Sequence, residues 1–174
     1  MGLQDIDCVD AIADDPTIQF FQQALPGALR VMTVPQMVNL ILARMGPWDQ
    51  IRRLRVFSHG FPGARGLGNS YHLWTTALSQ QIAVDTPGGT GPGGELERLT
   101  SRFWSEGWVE LHGCSVAGGA GGADLIRRLA ALWGVSVKAG TVVQDASSGF
   151  ENEYAIAYPN GSLVYRKGDK PGVW

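Results

Sequence analysis

Cysteine is scarce in this chain of 174 residues, which carries only Cys8 and Cys114. Two thiols cannot build a zinc cage of four thiolates or a disulfide framework. A chain of this length buries a sizeable core without a covalent staple, so the thiols are read as reduced and the compartment as cytoplasmic. No apolar run approaches the roughly eighteen residues of a membrane span. The N-terminus carries Asp5, Asp7, Asp10, Asp14 and Asp15, where a signal peptide would be basic and then apolar. Net charge is also small, with 14 Lys and Arg against 16 Asp and Glu. That leaves no broad footprint for nucleic acid or an anionic membrane. Arg52, Arg53 and Arg55 cluster beside Arg44 and read as the solvated end of a helix and a strand. The glycine run at 118–122 has neither the G-x-G-x-x-G spacing nor a Walker lysine, so it is expected to be a tight turn, and no cofactor or metal is expected.

What is present points to one domain over residues 1–174, with an N-terminal extension at 1–29 and a flexible Gly/Pro loop at 85–94. Short strands are expected at 30–34, 54–58, 108–112 and 135–139. Between them, helical stripes are expected after Pro35, from Tyr71 to Val84, from Glu95 to Trp104 and from Ala123 to Trp133. Pro159-Asn160-Gly161 between two apolar segments, 153–158 and 162–166, signals a hairpin. Strands alternating with helices predict an α/β fold: a mostly parallel central sheet of about six strands, helices on both faces and a C-terminal β-hairpin.

Two expected strands end in residues that carry chemistry. One runs into Ser58-His59-Gly60, the other into His112-Gly113-Cys114-Ser115. Ligands of open α/β sheets sit outside the carboxyl ends of the strands. If these strands are neighbours, His59 and Cys114 emerge on the same edge. A thiol is a nucleophile as thiolate, and a nearby imidazole favours that form. Gly60 allows a backbone N–H to approach a substrate carbonyl, and with the amide of Cys114 it would form an oxyanion hole. Asp145, Glu151 and Glu153 follow the last parallel strand and are candidates for a pocket that takes a basic side chain.

The order of these motifs resembles the caspase-like cysteine peptidases, in which a strand ending in Ser-His-Gly precedes one ending in Gly-Cys. The likeness is closer to a bacterial caspase-like domain of unknown function found in large surface proteins. It is carried by Phe57 to Gly63, Leu67-Gly68-Asn69, His112 to Gly118 and Leu129 to Gly140, and it covers roughly residues 30 to 166. The resemblance implies a three-layer caspase-like sandwich acting on a protein or peptide, with Cys114 as nucleophile and His59 as base and proton donor. It leaves open the preferred substrate and any activating partner or cleavage, for which the 85–94 loop is a candidate. The caspase Gln-Ala-Cys-Arg-Gly is absent, and the specificity pocket does not carry over.

Two other readings stand beside this one. A caspase-like module can be catalytically silent and bind a peptide or partner. Alternatively, His59-Gly-Phe-Pro-Gly63 and Gly113-Cys-Ser-Val-Ala-Gly-Gly119 resemble the oxyanion segment and nucleophile elbow of α/β-hydrolases, with Ser115 as nucleophile. That fold needs a histidine after the serine, whereas His59, His72 and His112 all precede Ser115. His112, His72 and Cys8 are read as structural residues.

Overall fold

Acidic and apolar residues alternate along Leu3–Asp10, and this stretch forms the first strand, β1. Ile6 and Cys8 are buried on one face. Asp5 and Asp7 lie on the other, where Asp5 meets Arg52 and Arg53, and Asp7 meets Arg55. The computed structural model describes residues 2–11, 16–59, 82, 94–144, 149–150 and 152–168. The helix expected from Tyr71 to Val84 and the Gly/Pro loop at 85–94 lie almost wholly outside the described residues.

After β1 come helix α1 (Pro16–Ala24), strand β2 (Leu29–Val31), helix α2 (Val34–Arg44) and strand β3 (Gln50–Phe57). A 3-10 helix (Leu96–Arg102) leads into β4 (Phe103–His112), followed by α3 (Gly119–Trp133), β5 (Ser136–Gly140), β6 (Tyr154–Ala157) and β7 (Leu163–Arg166). These seven strands form one sheet in the order β2-β1-β3-β4-β5-β6-β7. The first five positions are parallel, and β6 and β7 add an antiparallel hairpin at one edge. Helices cover both faces. Met37, Ile41, Leu125 and Leu129 of α2 and α3 pack on Ile6, Leu54, Val109 and Val137. On the opposite face, Ile18 and Phe21 of α1 pack on Val9 and Phe57. Strand neighbours such as Val56 and Phe57 divide between the two clusters, as period-2 alternation requires. The result is a three-layer α/β sandwich with a mostly parallel sheet. Among the described residues no helix is long and apolar enough to cross a membrane.

Several boundaries differ from the expectations. The supposed extension at 1–29 supplies β1 and α1, and β1 sits inside the sheet between β2 and β3, which raises the strand number from about six to seven. β2 stops at Val31 rather than 34, because the Thr33 side chain caps α2 by accepting the Gln36 N–H at 3.2 Å. Where a helical stripe is expected from Glu95 to Trp104, the helix is a 3-10 helix over Leu96–Arg102, and β4 begins at Phe103, five positions before 108. α3 starts at Gly119, so most of the glycine run is the helix's first turn rather than a turn before it.

Candidate functional site

Strands β3 and β4 are parallel neighbours, with Phe57 opposite His112. The Ser58 N–H donates to the His112 carbonyl at 3.0 Å, extending the pairing past the end of β3. His59 lies two residues beyond Phe57, and Cys114 two beyond His112. Both chain segments therefore leave from one level of the same sheet edge, on strands about 4.8 Å apart. His59 and Cys114 are each half-buried. The residue before His59 is fixed from behind: the buried Ser58 hydroxyl donates to the buried carboxylate of Asp10 at 2.7 Å. That pair spans β1 and β3, where the strand order reverses, the usual position of a ligand crevice in such sheets.

Cys114 opens a turn bound to the end of β5. The Ser115 N–H donates to Val142 O at 2.9 Å, and the Ala117 N–H to Gly140 O at 2.8 Å. Ser115 has φ +56°, and no other non-glycine among the described residues has a positive φ, so the chain bends sharply just after the thiol. The Cys114 Sγ donates to Gln144 O at 3.4 Å and accepts from the Gln144 N–H at 3.5 Å. Ionisation would give up the first contact and strengthen the second. Gln144 is itself held: its Nε2 donates to Val142 O and Glu153 O, each at 3.2 Å, and its Oε1 accepts the Asn152 N–H at 3.3 Å. Among the described residues no backbone carbonyl takes up the Cys114 amide.

The N-terminus of α3 is seated on this turn. It has no side-chain cap, and its positive end favours negative charge nearby. The approach depends on Gly122, where a Cβ would stand 2.4 Å from the Ala117 carbonyl carbon and 2.5 Å from Val116 O.

Beside Cys114, His112 is buried, with its ring stacked between Phe57 (4.5 Å, 11°) and Phe150 (4.6 Å, 16°). Its Nε2 is hydrogen-bonded to Glu110 Oε2 at 3.0 Å, and Glu110 Oε1 accepts the Trp108 indole N–H at 2.7 Å. Burial pushes the Glu110 carboxyl up, but the hydrogen bond and charge of His112, the Trp108 N–H and the charge of Lys138 together bring it from 4.5 down to about 2. A carboxyl depressed in the folded state contributes stability above its unfolded value, lost as pH falls through the folded one. Unfolding free energy should therefore drop by about 3 kcal/mol between pH 5 and pH 2 from this group. In Glu110→Gln that part of the decline should vanish from urea titrations at stepped pH; an unaltered pH dependence would refute the assignment.

Of the other expected site residues, Gly60, Asp145 and Glu151 lie outside the described residues. Glu153 is exposed, and its backbone carbonyl accepts from the Thr141 N–H, the Thr141 hydroxyl and Gln144 Nε2. Cys8 is buried, which pushes its thiol up to about 12 and keeps it protonated. Among the described residues no three His, Cys, Asp or Glu side chains are grouped as a metal ion would need. Asp10, Gln144 and Phe150 are contributors that the sequence pattern does not single out.

A family model described as Domain of unknown function (DUF4347) matches residues 15–148, most of the chain, including His59 and Cys114. No curated protein and no solved structure matches.

Proposed function

The chain belongs to the DUF4347 family, and within it we propose that this domain is a cysteine endopeptidase of the caspase-like type, with Cys114 as nucleophile and His59 as general base and acid. The observation that carries this reading is the pairing of Phe57 with His112 on adjacent parallel strands, which sends the two residues off one edge together. In the proposed reaction His59 takes the thiol proton, and the sulfur attacks the peptide carbonyl carbon. The carbonyl oxygen becomes an oxyanion that accepts from the amides of Cys114 and Gly60. His59 returns the proton to the leaving amine, giving a thioester. Water, deprotonated by His59, then attacks the thioester, releasing the acid and restoring the thiol. Val142 and Val143, 41% and 66% exposed beside Gln144, offer an apolar rim for peptide side chains. Two unpaired thiols, Cys8 and Cys114, suit a reducing compartment, so the proposed compartment is the cytoplasm.

Incubation with a thiol-reactive peptide electrophile tests the reading. Covalent labelling at Cys114, lost in His59→Ala, is expected. If Cys114 stays unlabelled while the domain still binds peptide, the silent peptide-binding module is the better description.

A further inference from the structure

We infer that Phe150 is a positioning residue of this site, whose ring, stacked on His112, holds the connection between β5 and β6 so that Gln144 stays against the Cys114 sulfur. The inference rests on the reading of Cys114 as the working thiol, but its test needs no peptide.

The rings form a row that starts on β3 and crosses β4 to β6. Phe57 stacks on His112, His112 on Phe150, and Phe150 on Tyr154 at 5.1 Å and 23°. Glu110 holds the middle ring through His112 Nε2, so the imidazole presents a fixed face to Phe150. Phe150 is only half-buried and belongs to neither apolar cluster. Among the described residues its ring contacts are those of the stack, with His112 and Tyr154. Phe150 and Gln144 lie on the same connection, and Asn152, two positions after Phe150, is tied to the segment carrying Gln144. Asn152 Nδ2 donates to Val143 O at 2.8 Å, and the Asn152 N–H to Gln144 Oε1 at 3.3 Å. The backbone of Gln144 in turn supplies both contacts to Sγ. An aromatic ring in a half-exposed position is thus coupled to the reacting atom through two intervening residues.

Alkylation by iodoacetamide at fixed pH, with modified peptides quantified by mass spectrometry, reads the sulfur directly. In Phe150→Ala, Cys114 should react about tenfold faster, because one wall around the sulfur is released. Phe150→Tyr keeps the ring and should react at the wild-type rate. Phe150→Leu keeps apolar bulk without the stack; it should also react faster, and it serves if the alanine variant does not fold. Cys8 is the internal reference and should stay slow in every variant. An unchanged or slower Cys114 rate in folded Phe150→Ala and Phe150→Leu overturns the inference. So does an equal acceleration at Cys8, which would mean general loosening. If the peptide electrophile fails to label Cys114 while these rates behave as expected, the peptidase reading falls and the positioning role stands.

Discussion

Cys114→Ala should abolish peptide hydrolysis, by about 10^4-fold or more, and leave the fold intact. The substitution removes the attacking atom and little volume from a half-buried turn, so its stability cost should stay below about 1 kcal/mol. His59→Ala removes the base and proton donor and should lower the rate about 10^3-fold. Ser115→Ala separates this chemistry from the serine-hydrolase alternative. Ser115 carries the positive φ beside Cys114, a strained turn of the kind a nucleophile elbow also uses. Its hydroxyl has no step in the proposed reaction, so Ser115→Ala should retain nearly full activity. Steady-state cleavage of a fluorogenic peptide library by the three variants decides the matter. Full activity in Cys114→Ala, or loss confined to Ser115→Ala, would overturn the dyad.

Gly122→Ala should destabilise the protein by about 3 kcal/mol, against the usual sign for glycine replaced by alanine inside a helix. On an ordinary helix surface the change is worth about 1 kcal/mol of added stability. Here the new methyl would meet the Ala117 carbonyl carbon at 2.4 Å and Val116 O at 2.5 Å. Both atoms are backbone and cannot rotate aside, so α3 or the turn after Cys114 must shift. Gly27→Ala provides the contrast, since a Cβ there meets nothing within 4 Å, and it should stay within about 0.5 kcal/mol of wild type. Urea unfolding of both variants is the measurement. A Gly122→Ala protein as stable as wild type would show that the helix is not seated on the turn as described.

That glycine also marks where sequence reading stops working. Glycine has poor helix propensity, so a run of it before Ala123 reads as a turn; only the close approach of the Val116 and Ala117 backbone, set by how the turn after Cys114 folds, explains its place inside α3. The β1 strand was hidden for a different reason. Its aspartates look like a solvated acidic stretch when taken alone. Their partners are Arg53 and Arg55, opposite Asp5 and Asp7 in the register, and the matched period of two in both segments was a usable signal. Local patterns sufficed where structure is local: alternation for β3, and Pro-Asn-Gly for the hairpin of β6 and β7. They also sufficed to propose His59 and Cys114, since each closely follows its own strand. Gln144 and Phe150 carry no such mark. They lie 30 or more positions from Cys114 in sequence, and their roles arise from how the connection between β5 and β6 folds back.

The position of β1 bears on where this domain can be said to begin. The family match starts at residue 15, whereas β1 lies wholly before it and joins β2 to the rest of the sheet. A polypeptide cut at that boundary would leave β2 without a neighbour and Ser58 without Asp10. Arg52, Arg53 and Arg55 would lose the carboxylates that face them. The matched stretch is thus shorter than the sheet, which begins at Leu3. Any fusion or excision designed around this domain should take its limit from the hydrogen-bonded sheet.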